Sequence, residues 1–247
     1  MVPALLSVSL TANAHLLGKG WQYAVYDLGN GRVRKVPRSL ASQTLAILVS
    51  REAGFSFRTA MKRAAMLNWL AQNSLAALKA HIPFHEYHLL ANPHFHGAAC
   101  YDQDCCYPLG RALSDATPEN ARSLIDKYID TIEHCWRLGF SELSYMFTVN
   151  YGLTSAGDMA LIDLGEVSFN RCDAEDAINE KRWLKHRSFR KDVKDEELRF
   201  YIAEAMDARI NLNALRALWR QKYIPNPARL DHLERFAQPS HARSIFA

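Results

Sequence analysis

Residues 16–36 read LLGKGWQYAVYDLGNGRVRKV, and the glycines leave this stretch few ways to fold. Alternating apolar and polar residues flank Gly29, Asn30 and Gly31, the pattern of two strands joined by a tight hairpin. Gly18 and Gly20 interrupt the run before it, so a glycine-bearing turn and three successive strands are predicted to open the domain.

The pattern turns helical over residues 40–81, with apolar spacing through Leu45, Leu48 and Val49 and again through Met61, Ala65, Leu67, Leu70, Leu75 and Leu78. This predicts one interrupted helix or two packed in sequence. Residues 83–109, rich in Pro, His, Tyr and Cys, predict short strands and a connection, with a hinge near Tyr107 and Pro108. Thr117-Pro118-Glu119 is a helix start, with a capping hydroxyl, proline at the first position and an acid in the first turn. The helix that follows presents Ile125, Tyr128, Ile129, Ile132 and Trp136 on one face and stops at Gly139. A short hairpin containing TSAGD and two or three helices from residue 174 onward complete the chain, the last interrupted at Pro225 and Pro227.

An apolar content of 49% over 247 residues suffices for one large domain or two small lobes around a cleft, and excludes disorder as the main state. Five cysteines, an odd number unevenly placed, argue against a disulfide framework and for a reducing, cytoplasmic location. The opening MVPALLSVSLTANA ends in Ala-Asn-Ala but lacks a positive n-region and is short, so it is not read as a signal peptide. No apolar run is long enough to cross a bilayer.

A lysine on the inward face of a buried strand needs an anionic partner, and Lys35 in RVRKV is placed so. Gly18 and Gly20, with Lys19 between them, would let backbone approach phosphates closely, with Val25 on the next strand. In YGLTSAGDMALIDLGEV, residues 151–167, a short apolar run ends on Asp163. A carboxylate at a strand end is a natural Mg²⁺ ligand, and Asn150, thirteen residues earlier across the TSAGD hairpin, offers an amide oxygen to the same ion.

In this order, LGKGWQYAVY, VRKV, a helix glutamate, Asn150 and DLG, the chain resembles the protein-kinase-like superfamily. Tyr23 stands where that family's loop has its third glycine, and DLG resembles its DFG motif. The resemblance spans residues 16–166. It implies that Lys35 holds the phosphates of ATP, that Asn150 and Asp163 hold Mg²⁺, and that Glu52, seventeen residues beyond Lys35, pairs with the lysine; Glu86 is the other acid before the hinge. The departure is equally specific: five residues before Asn150, where the family carries a catalytic Asp, stands Tyr145, with Ser144 beside it and Glu142 nearby as a substitute. No Ala-Pro-Glu segment follows Glu166, and the remaining chain is short for a full C-lobe. In its size, its Gly-Glu after the metal motif and its basic Trp-containing stretch, the chain is similar to small bacterial kinase-like proteins of the YrbL type.

Two other clusters have blander explanations. Residues 81–106 hold His81, His85, His88, His94, His96, Cys100, Cys105 and Cys106, but no CxxC pair exists and adjacent Cys105 and Cys106 cannot both face one tetrahedral ion easily; buried thiols and short strands are the preferred reading over zinc. The stretch EKRWLKHRSFRK places Lys181, Arg182, Lys185, His186, Arg187, Arg190 and Lys191 around Trp183, Leu184 and Phe189, the pattern of an amphipathic helix, with a site for an acidic substrate or phosphorylated partner near the cleft as the functional option. With a net charge of only +4 and a sequence pI near 8.8, nucleic acid is not expected as a partner.

The fold expected is α+β: a two-lobed protein-kinase-like fold with a small sheet-rich N-lobe and a reduced helical C-lobe, the single domain 1–247 dividing into lobes 1–109 and 110–247. The function expected is an ATP- and Mg²⁺-dependent phosphotransferase acting on a protein or small-molecule hydroxyl. The alternatives are a pseudokinase that binds nucleotide or a partner, and a kinase-like AMP transferase.

Overall fold

The computed structural model describes residues 14–49, 56–97, 99–185 and 187–220. Three strands, β1 (His15–Lys19), β2 (Tyr23–Asp27) and β3 (Arg32–Pro37), follow one another antiparallel as the glycines require. The β2–β3 turn needs left-handed backbone at Gly29 (φ 75°) and Gly31 (φ 74°), and the Asp27 carboxylate accepts the Gly29 N–H at 2.8 Å. Two later strands, β4 (His94–His96) and β5 (Cys100–Asp104), complete a five-stranded sheet in the order β1-β2-β3-β5-β4.

Between them lie two helices, α1 (Leu40–Val49) and α2 (Phe57–His81). Ser56 caps α2 by accepting the Thr59 N–H. The buried face of α2 runs Ala60, Ala64, Leu67, Ala71, Ser74, Leu75 and Leu78, one side of a regular helix, whereas Met61 and Ala65, expected on it, point outward. In α1 the buried residues are Gln43, Thr44 and Ile47, and the expected Leu45 and Val49 are exposed. Residues 84–90 form a 3₁₀ helix (Phe84–Leu90) where only strands and a connection were expected.

The chain then leaves the sheet through β6 (Tyr107–Pro108) into α3 (Leu109–Asp115) and α4 (Pro118–Arg137). Thr117 caps α4 and its buried face is the expected one, from Ala121 to Trp136. Gly139 ends the turn at φ 80°. There follow β7 (Ser141–Glu142), the one-turn α5 (Phe147–Asn150), β8 (Tyr151–Leu153), β9 (Met159–Leu161) and β10 (Val167–Ser168), then α6 (Arg171–Asn179), α7 (Arg182–Lys185), α8 (Arg187–Asp192), α9 (Glu196–Arg209) and α10 (Leu212–Leu218). The small sheets β6-β8-β9 and β7-β10 bracket the loop ending at Asn150. An antiparallel sheet in the N-terminal part and helices in the C-terminal part give the expected α+β arrangement. Pro225 and Pro227 lie outside the described residues. Among the described residues no helix is long and apolar enough to cross a membrane.

Candidate functional site

Strand alternation decides what faces the helical part. In β3, Val33 and Lys35 point to the buried side, and register sets Lys35 between Val25 of β2 and Tyr101 of β5. Lys35 is 8% exposed, and its ammonium donates to the Ile162 carbonyl at 2.5 Å and sits 5.7 Å from the Tyr101 ring centroid. Burial lowers its pKa, and nearby Asp163 opposes that shift. Glu52, expected as its partner, lies outside the described residues. Glu86 is engaged elsewhere, 3.2 Å from His134 and 3.8 Å from His85.

Above Lys35, the β1–β2 turn closes by a bond from the Gly20 N–H to the Tyr23 carbonyl (2.9 Å), and Arg38 braces the Gly20 carbonyl at 2.6 Å. A Cβ built on Gly18 would meet nothing within 4 Å, and one on Gly20 only the Tyr23 carbonyl at 3.8 Å, so this backbone is open to close approach. Lys19 is exposed on β1. Gln22 turns inward, donates to the Leu67 carbonyl (3.3 Å), and lies against Gly165, where an added Cβ would collide with its Oε1. The glycine turn therefore rests on the DLG segment. Tyr23, at the place of the family's third glycine, is buried edge-on against Tyr101, and its hydroxyl has no hydrogen-bond partner among the described residues. Burial raises that hydroxyl's pKa first and the charge of Asp163 next.

The floor is built around Asn150. Its carbonyl accepts the N–H groups of Ile162 (2.7 Å) and Asp163 (3.2 Å), fastening the end of β9 to the end of α5. Its side-chain Nδ2 donates to Glu142 (3.1 Å) and Ser144 (2.9 Å), which turns Oδ1 away from both. The Asp163 carboxylate accepts the Gly165 N–H at 3.2 Å and is partly exposed. An amide oxygen and a carboxylate, both hard donors, fit Mg²⁺, which takes one or two protein oxygens and keeps the rest for water and phosphate. The unpartnered Tyr23 hydroxyl beside Asp163 fits a ligand oxygen in the same space.

The end of β7 and the loop from it to α5 hold Glu142, Ser144 and Tyr145. Tyr145 has left-handed backbone (φ 54°) and is 1% exposed, its ring packed edge-on against Trp183. Glu142 accepts from the Ser144 N–H (2.8 Å), the Ser144 hydroxyl, the Tyr145 N–H (2.7 Å) and Asn150. Burial raises its pKa and these four bonds oppose the rise. Glu142 is thus the keystone of the loop, and its carboxylate is turned into the loop's own backbone.

Glu166 joins the site unforeseen. Burial first, then Asp163 and Glu142, push its carboxyl up to about 8 against the pull of Arg63 and Arg182. In sequence it was only part of a Gly-Glu pair; the basic groups that oppose the rise come from α2 and α7. The basic stretch behaves as an amphipathic segment: Trp183 and Phe189 are buried, while Lys181 pairs with Asp207 at 2.6 Å and Arg182 with Glu180 at 3.2 Å. His186 lies outside the described residues, and the side chain of Arg187 is not described.

No family model matches the chain, and no curated protein does. Among solved structures, it is similar to Rv3197 of Mycobacterium tuberculosis in complex with erythromycin, with 19% identity and a TM-score of 0.40 over 62% of this chain and 45% of that one. It is also similar to the Rio2 kinase–ADP/Mg²⁺–phosphoaspartate complex from Chaetomium thermophilum, with 13% identity and a TM-score of 0.45 over 85% of this chain and 69% of that one. The chain spans less than half the length of the mycobacterial protein. Both scores fall below 0.5.

Proposed function

We propose that this chain binds ATP with Mg²⁺ between its sheet and its helical part and acts as a kinase-like phosphotransferase on a protein or small-molecule hydroxyl. The observation that carries this reading is the buried Lys35 ammonium, which no described carboxylate pairs at salt-bridge distance and which faces Asp163 and the unpartnered Tyr23 hydroxyl. A buried cation of this kind is stabilised by an anion, and a phosphate supplies one. Lys35 would hold phosphate oxygens, the backbone of Gly18 to Gly20 would cover them beside Val25, and Tyr23 would donate its hydroxyl. Asn150 Oδ1 and Asp163 would hold the ion, which when bound neutralises charge on the transferred phosphoryl group. The Lys35–Glu52 pair belongs to the same proposal, as do the lobe division near residue 109 and the likeness to YrbL-type proteins.

A second reading rests on Tyr145 and Glu142: with the first buried and the second bonded four times, no carboxylate among the described residues of this loop is set to take a proton from a hydroxyl. A positioned base contributes about 10²–10⁴-fold, so transfer should be slow, and absent transfer the chain is a nucleotide-binding pseudokinase. One experiment separates these readings. Thermal melts with ATP, with and without Mg²⁺, are compared for the parent, Lys35→Met and Asp163→Asn, followed by transfer assays with label on the γ or the α phosphate. At about 100 Kd the parent should gain about 2.7 kcal/mol, roughly 5–10 °C, only with Mg²⁺, and both variants should lose most of the gain. No shift under any condition overturns nucleotide binding. A shift with γ-label transfer supports the phosphotransferase, α-label transfer the AMP transferase, and a shift with neither the pseudokinase.

A further inference from the structure

The face of the sheet turned away from Lys35 carries a second cluster. His94 and His96, two apart in β4, share one face, and the antiparallel register sets His94 opposite Asp102 of β5 and Asp102 opposite Arg34 of β3. Lys35, Tyr101 and Phe95 occupy the alternate positions and face the other way.

The side chains converge. His94 Nδ1 lies 3.3 Å from His96 Nε2, His96 Nε2 lies 2.9 Å from Asp102 Oδ2, and one ligand atom from each residue falls within 4.8 Å of the other two. One Nε2 thus serves two neighbours, and its single proton cannot bond both well. A divalent cation among the three atoms would satisfy all of them. Two imidazole nitrogens and a carboxylate oxygen are a zinc donor set, and at Zn–N distances of about 2.0–2.1 Å a tetrahedron has an edge of roughly 3.3–3.4 Å, the separation the imidazoles already have.

The carboxylate is held ready. Burial acts to raise the Asp102 pKa, but bonds from Arg34 and His96 keep it below the usual range, so it is ionised at neutral pH. Arg34 grips both oxygens, at 2.7 and 2.9 Å, which fixes the carboxylate plane while its charge limits the affinity. Cys100, opposite His96, takes no part: burial pushes its thiol up to about 11.

We propose that His94, His96 and Asp102 form a zinc site on the outer face of the sheet, its fourth position open to solvent beside the exposed His94. The site is independent of the nucleotide cleft. It uses two of the five histidines of residues 81–106, His94 and His96, without the cysteines that made zinc an unattractive reading of the sequence.

The test is a titration of the chelator-stripped full chain with Zn²⁺ by calorimetry and with Co²⁺ by absorption, for the parent, His94→Ala and His96→Gln. His94 is exposed, so His94→Ala should melt with the parent. The expected result is one site whose Zn²⁺ affinity falls roughly tenfold or more in either variant. The Co²⁺ form should show tetrahedral bands without sulfur-to-metal charge transfer. No binding, affinity unchanged in both variants, or a thiolate charge-transfer band overturns the proposal.

Discussion

At the scale of single residues the sharpest consequence concerns Glu166, whose carboxyl is pushed up to about 8 from an unfolded value near 4.5. Between those pH values the folded chain holds a proton that the unfolded chain has released, so stability from this group is full below about 4.5 and is lost as pH rises through 8. The melting temperature of the metal-free chain should therefore fall from pH 5 to 8.5 more steeply than that of Glu166→Gln, which cannot ionise. Partial exposure screens the effect to a difference of about 2 kcal/mol across the window. Parallel pH profiles for parent and variant would place the titration elsewhere. The inward face of Lys35 and the place of Asp163 just past a strand were legible in the sequence, because alternation and order are properties of the chain itself. The electrostatics of Glu166 and the stranded hydroxyl of Tyr23 were not, since the burial that dominates both is made by packing between distant segments. Glu142 marks the boundary: spacing shows that a carboxylate is near Asn150, but only geometry shows which way it points.

At the scale of elements, α2 holds the DLG segment through one side chain. Ser74, buried in α2, donates to the Val167 carbonyl at 2.9 Å and accepts the Val167 N–H at 3.2 Å, across a sequence separation of 93 residues. These bonds pin the chain just after DLG to a rigid helix. Ser74→Ala would leave both Val167 groups buried without a partner, at a cost of about 1–3 kcal/mol, so its melting temperature should drop by roughly 2–10 °C. Because the loosened segment adjoins Asp163, the Mg²⁺-dependent gain from ATP should shrink as well. A lower melting temperature with an undiminished gain would make the contact structural only. The same polar bonding explains why helix existence was easier to read than helix facing. In α1 the inward positions include Gln43, whose amide bonds the Arg38 carbonyl at 3.0 Å and the Asn68 side chain at 2.5 Å, and a hydrophobic pattern cannot register a glutamine that packs inward. The helix α4 was legible on both counts because its buried face, Thr131 apart, is apolar from Ala121 to Trp136 and its cap and stop are written in Thr117, Pro118 and Gly139.

At the scale of the whole molecule, one hydrophobic core runs from Tyr23 and Tyr101 of the sheet through Ala71 to Ile82, across Ile125 to Trp136 of α4, and on to Trp219. Three further contacts stitch the sheet to the DLG segment: Lys35 on the Ile162 carbonyl, the Tyr101 hydroxyl accepting the Leu164 N–H at 3.4 Å, and Gln22 against Gly165. A composition that allowed two lobes around a cleft could not show that the lobes share a core, because that depends on α2 reaching from one to the other. Sheet and helices should consequently melt together, giving a single calorimetric peak whose enthalpy equals the van't Hoff value; two peaks, or a calorimetric enthalpy well above van't Hoff, would show lobes that unfold separately. One corner stands apart from this continuity. Ile47, Ala60, Ala64 and Leu67 form a small separate cluster where α1 meets α2, and α1 has no other buried apolar side chain among its described residues. Local opening follows the number of buried contacts that must break, so the amides of α1 should exchange with solvent well before those of α4 while the calorimetric peak stays single. Equal protection in the two helices would mean that the α1 corner opens only with the main core, held by the polar bonds of Gln43 as firmly as α4 is by its apolar face.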